Sequence, residues 1–118
     1  MFDEVLKRVL ADVDGARCVL LAGLDGVVVA AAVADGSPSP DLVAASMADL
    51  FRKADAAHRD AGLVTPMELA SGSLEGRAVL RAVTADYLLV AALEGSGSLG
   101  RMRFALRKAA DALQPELA

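Results

Sequence analysis

The chain has no tryptophan, a single cysteine, a single histidine and only 3% aromatic residues. One cysteine permits neither an intrachain disulfide nor a thiolate zinc site, so the framework suits a reducing, cytoplasmic compartment. With one histidine, every Ser-His-Asp or Cys-His scheme would have to pass through His58. Base is also scarce: 12 Lys+Arg stand against 16 Asp+Glu, giving a net charge of −4. That balance argues against a nucleic-acid partner, which needs an excess of Lys and Arg. The longest apolar block, Cys18–Ala34, is split by Asp25-Gly26. A membrane-spanning helix needs about 20 largely uninterrupted apolar residues, so no membrane insertion is expected. The opening Met1-Phe2-Asp3-Glu4 carries acid where a signal peptide needs base.

What is present is apolar: 118 residues, 55% of them hydrophobic, in a length that suits one domain. Such a composition excludes intrinsic disorder. Phe2, Val5, Leu6, Val9, Leu10 and Val13 recur at steps of three and four, which predicts an amphipathic helix. Arg17–Gly23 and Val27–Val33 flank Leu24-Asp25-Gly26, and an Asp-Gly pair between apolar runs predicts a hairpin with positive φ at both turn residues. Ser39 caps a helix that has Pro40 at its first position and runs to about Ala61, before Gly62. Strands are predicted at Val64–Ala70, which Pro66 makes an edge strand, at Arg77–Thr84 and at the continuously apolar Tyr87–Leu93. A last helix from Leu99 should stop near Pro115.

Little here carries chemistry. Gly95-x-Gly97-x-x-Gly100 matches a dinucleotide fingerprint, but the residues after it read as one helix and leave no room for the second strand of a βαβ unit. His58 reads as a partly buried helix residue, and Cys18 as a structural thiol on a central strand. Asp12-x-Asp14 resembles turn chemistry more than a calcium loop. Arg101, Arg103, Arg107 and Lys108 make the last helix basic, a solvated face before it is a docking site. No catalytic residue, metal or cofactor is expected.

The middle helix is more informative. On a 100° wheel Val43, Met47, Leu50, Ala54, Ala57 and Ala61 form the stripe expected to pack on the sheet. Ala44, Ala48 and Phe51 fall on its shoulder, which reads as surplus apolar surface for a second chain, because Phe51 is expensive to leave in water. Ala45, Arg52, Asp55 and Arg59 then form the outward arc, a mixed surface suited to a transient partner.

The element order α-β-β-α-β-β-β-α, the "GLDGVVVAAA" hairpin, and "DYLLVAAL" followed by "GSLGRMRFALRKAADAL" resemble the roadblock/dynein-light-chain family over residues 2–117. The resemblance implies one roadblock-type domain over residues 1–118, α+β and profilin-like. Its five-stranded antiparallel sheet runs in the order 2-1-5-4-3, between a long middle helix and the two terminal helices. It also implies a homodimer, with middle helices side by side and edge strands joined, which assigns Ala44, Ala48, Phe51, Val64, Met67 and Leu69 to the dimer interface. Bacterial MglB-like members resemble non-enzymatic regulators or platforms for Ras-like small GTPases. That partner would dock on Ala45, Arg52, Asp55 and Arg59. The alternatives are a dynein-light-chain-like scaffold without a GTPase, and a small-molecule sensor.

Overall fold

The computed structural model describes residues 1–118. In chain order it comprises α1 (Phe2–Asp12), β1 (Ala16–Gly23), β2 (Val28–Val33), α2 (Pro40–Asp60), β3 (Glu68–Gly72), β4 (Gly76–Ala82), β5 (Tyr87–Glu94) and α3 (Leu99–Leu117). The strands form one sheet in the order β2-β1-β5-β4-β3, with every neighbouring pair antiparallel. This is the expected α+β architecture and strand order. β1 and β5, with their apolar runs Cys18–Gly23 and Tyr87–Leu93, lie inside the sheet, where both of their faces are covered.

Alternation along the strands divides the core in two. Val19, Leu21, Val79, Leu89, Ala91 and Leu93 face α1 and α3, where Leu6, Val9, Met102, Leu106 and Leu113 meet them. Cys18, Leu20, Ala22, Leu80, Leu88 and Val90 face α2. Each fully buried Leu or Val contributes roughly 1.5–3 kcal/mol, so both layers hold the sheet. No helix is long and apolar enough to cross a membrane.

Four local expectations are corrected. The β1–β2 connection lies where expected, at Leu24–Val27, but one turn residue, not two, has positive φ. The Gly26 N–H donates to the Gly23 carbonyl at 2.9 Å, and only Gly26 has positive φ, at 88°. Asp25 does not take a positive φ, and its Oδ1 accepts from the Val27 N–H at 3.1 Å. The strand expected from Val64 begins at Glu68, leaving Pro66 in the lead-in, where only Ala82 N–H to the Met67 carbonyl (2.8 Å) bonds it to β4. The last helix continues through Pro115 to Leu117, since a proline in the final turn forfeits a single hydrogen bond at a solvated end.

The fourth correction concerns function. Ala44, Ala48 and Phe51, assigned to a dimer interface, are instead the residues α2 presses onto its own sheet. The stripe expected there is on the flank: Val43, Met47 and Ala54 are half-buried, and Leu50, Ala57 and Ala61 are exposed. The apolar arc is wide enough for either rotation, and contacts outside the helix select one of them.

Candidate functional site

The rotation of α2 is set at the β1–β2 loop. Gly26, at a positive φ that favours glycine, lies so close that a Cβ there would sit 3.1 Å from the Cα of Ala45, tighter than most such contacts. About two turns further on, the Arg52 guanidinium donates to the Leu24 carbonyl. These two contacts turn Ala44, Ala48 and Phe51 downward. At the start of the helix the Ser39 hydroxyl accepts from the Leu42 N–H, with Pro40 in the first turn, as the sequence predicts.

Two unlike flanks result. The apolar one carries Val43, Met47, Leu50 and Ala54, with Leu50 40% exposed. Because α2 packs mainly on β1, β2 and β5 and buries Leu80 of β4, the same face of β3 is left largely without a helix above it. Leu69 on β3 is only half-buried there, and Met67 just before it is 60% exposed. β3 pairs with β4 alone, so its outer edge presents unpaired backbone N–H and C=O groups. Val64, expected in that strand, is exposed in the lead-in, and its carbonyl lies 3.0 Å from Nδ1 of His58. Met67 and Leu69 thus remain available to a second chain, whereas Ala44, Ala48 and Phe51 do not.

The opposite flank is polar. Ala45, Arg52 and Arg59 are exposed on it. Arg52 is held by Leu24 and by Asp49 (3.5 Å), and Lys53 reaches the same carboxylate at 2.8 Å. The hydrogen bond and charge of Lys53 hold the Asp49 carboxyl below the usual carboxylate range. Asp55 does not share the outward arc. It lies on the sheet-facing line, its side chain 21% exposed, with Oδ2 paired to Arg59 at 3.1 Å and Oδ1 buried without a hydrogen-bond partner. The sequence pattern thus brings Ala45, Arg52 and Arg59 together and places Asp55 beneath them.

Beyond the edge strand, Glu68 accepts from Arg103 Nε at 2.8 Å and lies 2.6 Å from its Nη2, with Arg81 Nη1 at 3.9 Å. This cluster ties β3 to α3, so Arg103 is occupied structurally.

The chemistry-bearing residues are accounted for by the fold. His58 contacts a carbonyl, not an acid or a hydroxyl. Cys18 is fully buried, and burial pushes its thiol pKa up despite a bond with Ser37. Gly95 packs against the Leu74 carbonyl, where a Cβ would approach to 2.6 Å, so close backbone packing explains this glycine. The turn then ends at Ser98, which caps α3 through the Arg101 N–H at 3.2 Å. No three His, Cys, Asp or Glu side chains converge as metal ligands. The surface missed from the sequence is Val43, Met47, Leu50 and Ala54. Its signal was present as a stripe but was assigned to the sheet.

No protein-family model matches the chain, and no curated protein matches it. Solved structures do. An MglB described with a tetrameric arrangement is 25% identical, with 97% of this chain and 85% of that one covered and a TM-score of 0.87. MglC from Myxococcus xanthus is 29% identical over 98% of each chain, at a TM-score of 0.70. A roadblock/LC7 domain from Streptomyces avermitilis is 16% identical, covers 98% of this chain and 96% of its own, and has a TM-score of 0.85. The resemblance read from the sequence is borne out: this is a roadblock-fold, MglB-like chain.

Proposed function

We propose that this roadblock-fold chain is a non-enzymatic homodimeric regulator or platform for a Ras-like small GTPase. The observation that carries the proposal is the uncovered apolar surface on the α2 side of the sheet. Val43, Met47, Leu50 and Ala54 on the helix flank are joined by Met67 and Leu69 at an unpaired sheet edge. A two-fold axis at β3 would pair the two edges and bring each apolar flank towards its twin, satisfying the backbone and removing the exposed side chains from water together. Such a dimer could reach the roughly 1,600 Å² of a standard specific interface.

The likeness to MglB and MglC supports placing that dimer in a GTPase system. The polar flank is then the docking face. Ala45, Arg52 and Arg59 remain outward when the apolar flank is covered, and Asp55 serves by holding Arg59. Two such flanks per dimer give mixed charge around small apolar residues, the composition of a transient interface. Arg52 is engaged by Leu24 and Asp49, an arrangement that suits orientation of a partner better than insertion into its active site.

Titration calorimetry with Ras-like small GTPases of the source organism tests the proposal. Binding that depends on whether the GTPase carries GDP or a non-hydrolysable GTP analogue is expected, whereas no heat with either form contradicts it.

A further inference from the structure

α1 and α3 lie on the sheet face opposite α2, so their outer surface is untouched by the dimer proposed above. Between them runs an open groove of about 640 Å³. Val5, Val9, Ala105 and Ala109 line it, and the chain contains no buried polar residue that could orient a small ligand there. A groove of this size and apolar lining suits inserted side chains.

The same patch carries an apolar knob. Phe104 lines the groove, yet 59% of it is exposed, and Lys108 Nζ lies 5.5 Å from its ring centroid. A large aromatic left in water beside an apolar hollow is a source of association free energy, because burying the ring removes both surfaces from solvent.

The rims carry opposite charge. On α1 stand Glu4, Arg8 and Asp12, net negative; on α3 stand Arg101 and Lys108. None of these five forms an ion pair within the chain. A patch that holds a knob, a hollow and one rim of each sign is self-complementary, as a two-fold contact requires. A foreign partner would need the hollow and the rims but not the knob.

We propose that the α1–α3 groove is a second self-association surface, filled by Phe104 of another copy of this chain around a two-fold axis. The α1 rim of each copy then lies along the α3 rim of the other, so the opposite charges meet twice. Combined with the β3/α2 dimer, this contact joins dimers into assemblies of four chains or more.

Light scattering across a micromolar concentration series tests the proposal. The wild type should rise to at least four times the 12.1 kDa chain mass, and Phe104→Asp should hold it at two chains. Phe104→Asp at one chain would retain the groove contact and remove the β3/α2 dimer instead, so the two readings fail separately. Charge swapping supplies the second arm. Glu4→Lys with Asp12→Lys, and Arg101→Glu with Lys108→Glu, should each block the step by repulsion, and mixing the two variants should restore it. A wild type that stays at two chains throughout, a mass indifferent to Phe104→Asp, or a mixture that fails to reassemble overturns the proposal.

Discussion

Replacing Phe51 by alanine separates two roles that the sequence alone leaves open. In the structure Phe51 is 5% exposed and packs with Ala44 and Ala48 against the α2 face of the sheet. Truncating a buried Phe to Ala removes its transfer free energy and leaves a hole that the neighbours close only in part, at a cost of about 3–5 kcal/mol. Unfolding entropy near 2.1 cal/mol/K per residue amounts to roughly 0.25 kcal/mol/K for a chain of this length, so the melting temperature should fall by roughly 12–20 °C. Ala44 and Ala48, already small, offer nothing that could move in to fill the space. The assay is a thermal melt followed by circular dichroism at fixed protein concentration. Light scattering well below the transition accompanies it, and the assembled mass there should be unchanged. The refuting result is the reverse pattern: a shift of only a few degrees together with a fall to a single chain. Phe51 would then face a partner and the assigned rotation of α2 would be wrong.

Leu50→Asp with Met67→Asp, made in the Phe104→Asp background, should take the protein from two chains to one with little change in the melt, because both residues are exposed; a persistent dimer by light scattering would place the interface elsewhere. Cys18 should resist alkylation until the chain unfolds. Its raised pKa means that stability is fully present below the ordinary thiol pKa and declines as pH climbs towards the higher folded value; denaturant titrations in alkaline buffers should show a shallower decline for Cys18→Ala. An unchanged slope, or rapid native labelling, would contradict the burial of the thiol. Arg52→Ala and Arg59→Ala should each weaken GTPase binding by no more than about 1–2 kcal/mol, as rim charges do, and leave hydrolysis at saturation nearly unchanged. A loss of ~10³-fold at saturation, the mark of a donated arginine, would make the protein a catalytic partner.

Much of the architecture was legible because local signals agreed with one another. Asp25-Gly26 between apolar runs located the hairpin, Ser39-Pro40 located the start of α2, and the unbroken apolar Tyr87–Leu93 marked an interior strand. The strand order came with the family resemblance, since periodicity does not say which strands pair. Helix rotation was not legible. The apolar arc of α2 runs from Val43 and Leu50 on one side to Ala48 on the other, and hydrophobicity favours its most apolar line. What turned the helix was tertiary: the closeness of Gly26 to Ala45 and the reach of Arg52 to Leu24, neither visible in the sequence of the helix. The Ala44–Ala48 spacing was the local hint, because small residues one turn apart allow close approach. Asp55 was misplaced for the same reason, and righting the rotation moves it beneath Arg59. The α1–α3 groove was visible only as a basic helix, since its depth depends on how two distant segments pack.

The central claim, a dimer that engages a small GTPase, is met most directly by native mass spectrometry of the Phe104→Asp protein mixed with the GTPase in its GTP-analogue form. The account predicts complexes containing two copies of this chain and at least one GTPase, lost when Leu50→Asp and Met67→Asp separate the dimer. A GTPase bound equally well by the separated single chain would contradict it, as would a mixture in which the two proteins never appear together.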